Sequence, residues 1–234
     1  MPALLLATDF NNADPSGERD WVVGAAEAAA TLGVPALRID AMMTGERDLP
    51  LAERQERFAA AMRDIVERTS GLPVVFGIEN HGIQGNDPEF LEGLMDRVGS
   101  TRIGMTLDTG NFYWAGHPLE DVYRILARLA PRTVHTHVKN IAYPAEVRQA
   151  RREAGWEYGR YVCPIPDGDI DHARVVALLA HAGYTGDLCI EDESLDRFPV
   201  AVRVEHVRAA AEHLRACIAS APGNLPPAPG VFNG

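Results

Sequence analysis

Val74-Val75-Phe76-Gly77-Ile78-Glu79-Asn80-His81-Gly82 is an apolar run that ends abruptly in a carboxylate, an amide and an imidazole. A run of this length and β-branched content predicts a strand buried on both faces, as in a parallel sheet. Its polar end predicts that the strand finishes at a chemical site. Three later stretches repeat the design: Ile103 to Asn111 (IGMTLDTGN), Thr133 to Asn140 (TVHTHVKN) and Asp187 to Glu193 (DLCIEDE). Each is an apolar or β-branched run whose C-terminal end carries acids, histidine or lysine.

Between and around these runs the sequence alternates strands with helices. Leu4 to Thr8 predicts a strand, followed by a polar loop and an alanine-rich helix over Trp21 to Leu32 that Gly33 ends. Val34 to Asp40 predicts a second strand, and Pro50 to Thr69 an amphipathic helix with Leu51, Phe58, Met62 and Ile65 on one face. Asp87-Pro88 predicts a cap and first position of a helix running through Val98. Helices are expected over Pro118 to Leu129, Ala145 to Ala154, Asp171 to Ala182 and Val200 to Ala219, with short strands near Tyr161 to Ile165 and at Leu188 to Glu191. This makes seven strand–helix units in one domain over 1–220, with a loosely ordered tail over 221–234.

Strand–helix alternation at this spacing implies parallel pairing, which leaves an α/β barrel or a doubly wound sheet. No GxGxxG or Walker loop follows any strand, while polar strand ends are what the active face of a TIM (β/α) barrel requires. The barrel is the expected fold. With 22 Lys and Arg against 33 Asp and Glu, the net charge of −11 argues against nucleic acid as a partner. Three widely spaced cysteines form no CxxC pair, the N-terminal segment has no basic n-region, and no run reaches the ~20 apolar residues of a membrane span. A cytoplasmic chain without membrane contact is expected.

Side chains alternate along a strand. Gly77 and Glu79 therefore share a face, as do Thr106 and Asp108, His135, His137 and Lys139, and Cys189 and Glu191. Val74, Phe76, Ile78, Met105, Leu107, Val134, Thr136, Val138, Leu188 and Ile190 form the opposite face, toward outer helices. Several carboxylates buried around one mouth repel each other and are costly to desolvate unless neutralised. Glu79, Asp108, His137 and Glu191 supply three oxygen ligands and one imidazole, a set suited to one divalent ion, Mn²⁺, Zn²⁺, Co²⁺ or Mg²⁺. His135, one layer deeper, is either a core hydrogen-bonding group or a support for these ligands. His81 is the expected substrate contact after Glu79. Trp156 and Tyr158 form either a lid or loop packing, and the Arg-rich run from Arg148 to Arg160 reads as a solvated helix face.

Gly77-Ile78-Glu79-Asn80-His81, Leu107-Asp108-Thr109-Gly110-Asn111, His135-Thr136-His137-Val138-Lys139-Asn140, the Asp167-Gly168-Asp169-Ile170-Asp171 turn and Gly183-Tyr184-Thr185-Gly186-Asp187 leading to Ile190-Glu191 together resemble the xylose isomerase-like TIM-barrel superfamily of sugar phosphate isomerases and epimerases. The resemblance implies Glu79, Asp108, His137 and Glu191 as metal ligands, Glu79 and Glu191 as the proton-transfer pair, and His81, Lys139, Asn111 and Trp156 as substrate-binding positions. Asn111 stands where the epimerases carry histidine. The implied activity is metal-dependent isomerisation or epimerisation of a sugar or keto-sugar through an enediolate. The alternatives are a lyase acting on a 3-keto-sugar or inosose, and an inactive barrel that binds a partner. A DNA-repair endonuclease of this superfamily would need further ligands and a cationic groove. Measured against the family, the chain is expected to lack the first βα unit, through a late gene start or with a second copy or another partner covering the open edge.

Overall fold

The computed structural model describes residues 1–10, 15–41, 45 and 48–221. In chain order the elements are β1 (Ala3–Leu6), α1 (Pro15–Leu32), β2 (Ala36–Asp40), α2 (Leu51–Arg68), β3 (Val75–Glu79), α3 (Pro88–Val98), β4 (Ile103–Asp108), α4 (Asn111–Trp114) and α5 (Leu119–Leu129). They continue with β5 (Thr133–Val138), β6 (Asn140–Ile141), α6 (Tyr158–Tyr161), β7 (Val162–Cys163), α7 (His172–His181), β8 (Cys189–Ile190) and α8 (Val200–Ser220). Among the described residues, six strands form one parallel sheet in the order β1-β2-β3-β4-β5-β8, with helices covering its outer face. This is the sheet of a TIM-type barrel, open between its two edge strands β1 and β8. No helix among the described residues is long and apolar enough to cross a membrane.

The outer face follows from alternation. Leu37, Ile39, Phe76, Ile78, Met105 and Leu107 are buried in one continuous core with the inner stripes of the helices. In α5 that stripe is Leu119, Val122, Tyr123, Ile125, Leu126 and Leu129, the three-and-four spacing of an amphipathic helix. Each fully buried side chain of this kind contributes about 1.5–3 kcal/mol. Asp87 caps α3 by accepting from Glu89 N at 3.0 Å and Phe90 N at 3.4 Å, with Pro88 at the first position, as the sequence predicts. Gly99 ends the helix at φ 65°, a left-handed conformation that costs glycine little.

Four expectations are corrected. The Tyr161–Ile165 stretch is not a barrel strand: Val162 and Cys163 pair antiparallel with Ile141 and Asn140 in a separate ribbon, so β5 lies directly against β8. Two short segments joined by a loop can satisfy each other's backbone groups, and strands of two residues carry no mark of which partner they choose. Ala145 to Ala154 is not a helix but a single 3-10 turn at Ala145–Val147 followed by loop. Helix α1 begins at Pro15 rather than Trp21. Finally, the β4–β5 register slips between Met105 and Thr106, so Thr106 pairs with His135 while Met105 pairs with Thr133. This bulge turns Val134 to the inner face, where its methyls fill the space above Gly77 and Gly104. The expectation for the tail falls at 222–234, outside the described residues.

Candidate metal and substrate site

Register decides what meets at the mouth. Asp40 pairs with Glu79, and Asp108 with His137, which in turn pairs with Cys189. Consecutive strands therefore deliver their last inward side chains to one level. One donor atom each from Glu79, Asp108, His137 and Glu191 lies within 4.8 Å of the others, as the alternation predicts. His137 Nδ1 is 2.6 Å from Glu79 Oε1 and 3.4 Å from Glu191 Oε1. Asp108 is fully buried. Its Oδ1 accepts from the backbone N–H groups of Gly110 at 2.8 Å and Asn111 at 2.7 Å. Its Oδ2 makes no hydrogen bond and faces Lys139 Nζ at 3.4 Å.

Two charged residues that sequence reasoning passed over complete the network. Arg38, inward on β2, is held by Asp40 at 2.9 Å and by Glu79 Oε2. Asp40 also accepts from His81 Nδ1 at 2.9 Å. The signal was present in Leu37-Arg38-Ile39-Asp40, where charges alternate with apolar residues along the strand. On the other side, Lys139 Nζ meets Glu191 Oε2 at 2.8 Å and also pairs with Glu193, whose second oxygen accepts from Tyr158 OH at 2.7 Å. Asn80 locks the floor by donating to Asp108 O at 3.0 Å and accepting from Asp108 N at 2.8 Å. Gly110 permits the close approach of Lys139, since a Cβ there would lie 2.5 Å from Lys139 Cγ.

The electrostatics are those of an over-filled acidic site. Among the described residues, Asp40, Glu79, Asp108, Glu191 and Glu193 face two fixed cations, Arg38 and Lys139. Burial works to raise Glu79, but the His137 hydrogen bond and the Arg38 charge outweigh it and hold the carboxyl down at about 2. Burial dominates at Asp108 and pushes it up to about 7 against the pull of Lys139. Lys139 is raised in spite of burial by Asp108, Glu191 and Glu193. Burial works to lower His137, and Glu79 raises it. A divalent cation fits this donor set. The buried Asp108 Oδ2 lacks a hydrogen bond, and three carboxylates with one imidazole are ligands that Mn²⁺, Zn²⁺, Co²⁺ and Mg²⁺ accept.

The remaining expected site residues divide. Asn111 lies at the site: its N–H is bound to Asp108, and its side-chain Nδ2 is buried without a hydrogen-bond partner. His81 reaches the site through Asp40, and Lys139 directly. Trp156 does neither among the contacts described. It stacks on Tyr161 at 5.7 Å between ring centroids and leans on Tyr143, so it belongs to an aromatic loop cluster, while Tyr158 reaches Glu193. The Arg-rich run is not a solvated helix face either: Arg152 lies over the rings of Tyr113 and Tyr143 at 4.5 and 4.3 Å. His135 sits below the mouth and bonds Asp187 Oδ1 through Nδ1 at 2.9 Å.

Comparison with known proteins places this fold. The rhizopine catabolism protein MocC of Rhizobium meliloti is 28% identical over 148 residues, which are 60% of this chain and 43% of that protein; the chain thus matches less than half the length of this relative. Among solved structures, the IOLI protein with a bound zinc atom superposes with a TM-score of 0.66 at 17% identity, covering 92% of this chain and 76% of the other. A D-tagatose 3-epimerase-like protein superposes with a TM-score of 0.61 at 20% identity, covering 91% and 77%. At such identities these two likenesses establish the fold. The sequence model of the xylose isomerase-like TIM barrel matches residues 3–217, nearly the whole of the described chain. The chain belongs to the xylose isomerase-like TIM-barrel family.

Proposed function

We propose that this protein is an isomerase or epimerase of a sugar-like carbonyl compound, working with one divalent ion held by Glu79, Asp108, His137 and Glu191. The observation that carries the reading is the convergence of these four donors, from four strand ends, within 4.8 Å around a buried carboxylate oxygen that makes no hydrogen bond. The bound ion supplies Lewis-acid polarisation of the carbonyl and charge to balance the oxyanion that forms next to it.

The rest falls to the chain. Glu191, a third exposed beside Lys139, is the carboxylate open to substrate, and we assign it the removal of the proton α to the carbonyl. In an epimerisation Glu79, ionised at rest, takes up a proton from solvent on releasing Arg38 or His137 and passes it to the substrate carbon, while Glu191 gives the abstracted proton up to solvent. Lys139, His81 and the free amide of Asn111 bind substrate oxygens, and Asn80 and Gly110 fix Asp108 and Lys139 in place. The known relatives lend the substrate class: a structure similar to this one is a D-tagatose 3-epimerase-like protein.

Solvent exchange tests the reading. Keto-sugars incubated with the protein and Mn²⁺ in deuterated water should gain deuterium at the α-carbon as they turn over. Glu191→Gln should lower the rate by roughly 10²- to 10⁴-fold, the usual contribution of a positioned general base. Turnover without deuterium incorporation would favour hydride transfer and reject the mechanism; undiminished activity in both Glu191→Gln and Glu79→Gln would reject the assignment of the carboxylates.

A further inference from the structure

Beneath the mouth lies a second group of donors that the proposed reaction does not use. His135 and His137 occupy successive inward positions on β5, and Cys189 is level with His137 on β8. One donor atom from each lies within 4.8 Å of the other two. The imidazoles stand nearly perpendicular, at 82°, with centroids 5.2 Å apart. Both rings are 1% exposed, and in both Nδ1 is taken: by Asp187 at 2.9 Å for His135, and by Glu79 at 2.6 Å for His137. In both, Nε2 is buried with no hydrogen-bond partner. A buried nitrogen left unsatisfied costs about 1–3 kcal/mol, and each of these two rings carries one.

We propose that His135, His137 and Cys189 form a second metal site, of nitrogen–nitrogen–sulfur type, for a thiophilic divalent ion such as Zn²⁺. The donor chemistry separates it from the mouth site. Imidazole and thiolate favour zinc-like ions, whereas the carboxylate-rich set above them also suits Mg²⁺ and Mn²⁺. The support around His135 is what a zinc histidine requires: the Asp187 carboxylate accepts from Nδ1–H, which fixes the tautomer and leaves the Nε2 lone pair free for an ion. Cys189 closes the set from the sheet edge. It is half-buried on the edge strand β8, giving an ion a route in, and a cysteine has one side-chain torsion with which to swing onto it. The thiolate is the form that ligates a metal, so loading the site expels the thiol proton. His137 belongs to both donor groups. The inference rests on the proposed mouth site only for this sharing; His135 and Cys189 take no part there.

Cobalt(II) titration followed by absorption separates the two sites, because only a thiolate ligand gives an intense near-ultraviolet charge-transfer band. Wild-type protein should bind two Co²⁺ per chain, and the band should grow with one of them. Cys189→Ser should lose the band and keep one equivalent, whereas Asp108→Asn should lose the other equivalent and keep the band. Asp187→Asn, by releasing His135, should weaken the band-forming equivalent by about 10- to 100-fold, the usual effect of removing a carboxylate behind a ligating histidine. Saturated wild-type protein without the band, or a band unchanged in Cys189→Ser, would overturn the site. Should Cys189→Ser not fold, wild-type protein decides: bound Zn²⁺ should slow alkylation of Cys189, mapped by mass spectrometry, by at least about tenfold, since the metal-held thiolate is withdrawn from reaction. Equal rates with and without Zn²⁺ would overturn it as well.

Discussion

Arg38 shows how much one residue decides in this site. Glu79 is 1% exposed, and its charge is balanced on one oxygen by Arg38 and on the other by His137. Replacing Arg38 with methionine keeps much of the volume and removes the cation, leaving a buried carboxylate short of a partner. Breaking a buried pair in this way costs about 3–5 kcal/mol. Urea denaturation of metal-free Arg38→Met should show a loss of that order, and Arg38→Met/Glu79→Gln should recover much of it. A loss below about 1 kcal/mol would rank the pair with ordinary surface ion pairs. The two glutamates differ in access: Glu79 is buried between Arg38 and His137, whereas the Glu191 side chain is a third exposed.

At the scale of elements, stability rests on how helices begin and how they dock. The Asp87 cap of α3 binds two backbone N–H groups that the helix itself cannot satisfy. Asp87→Ala should cost about 1 kcal/mol in a urea melt, the typical value of an N-cap, with Co²⁺ binding at the mouth unchanged. Helix α7 opens with His172, buried against α8 with its ring centroid 5.7 Å from that of His213. Burial, and then the nearby His213, lower His172 from 6.5 to about 4. The folded state therefore holds this ring neutral in a range where the unfolded chain would protonate it. Its contribution is complete above pH 6.5 and is lost as pH falls from about 6.5 to about 4, amounting to about 3 kcal/mol over that window. His172→Phe should flatten the stability–pH curve between these limits; a curve parallel to wild type would show that other groups set it.

For the whole molecule, the proposed ligands come from β3, β4, β5 and the end of the edge strand β8, so an ion bound by them would hold the sheet together at the end of its strand order. An ion that binds only the folded chain stabilises it by about 2.7 kcal/mol at a hundredfold excess over Kd. In a chain of this size that is a rise of roughly 5–10 °C in Tm. Mn²⁺ added to chelator-treated protein should produce it, and Asp108→Asn should abolish most of it. A Tm indifferent to the ion in wild-type protein would remove the structural ground for the mouth site.

What the sequence determined by itself is the rhythm and its chemistry. Alternation with period two placed Glu79, Asp108, His137 and Glu191 on the inner face, apolar runs such as Val74 to Ile78 marked strands buried on both sides, helical spacing marked α2, and the Asp87-Pro88 cap marked α3. These are local properties, written into neighbouring residues. Pairing is not local, and only the tertiary structure decided it. Alternation tells which way Arg38 and Asp40 point but not that Glu79 lies beside them; that follows from the β2–β3 register. The slip between β4 and β5 turned Val134 inward against its sequence parity, and the β6–β7 ribbon removed one expected strand from the barrel, bringing β8 against β5. That last pairing sets Cys189 beside His137, fifty-two positions away in the chain, and no periodicity within either segment encodes it.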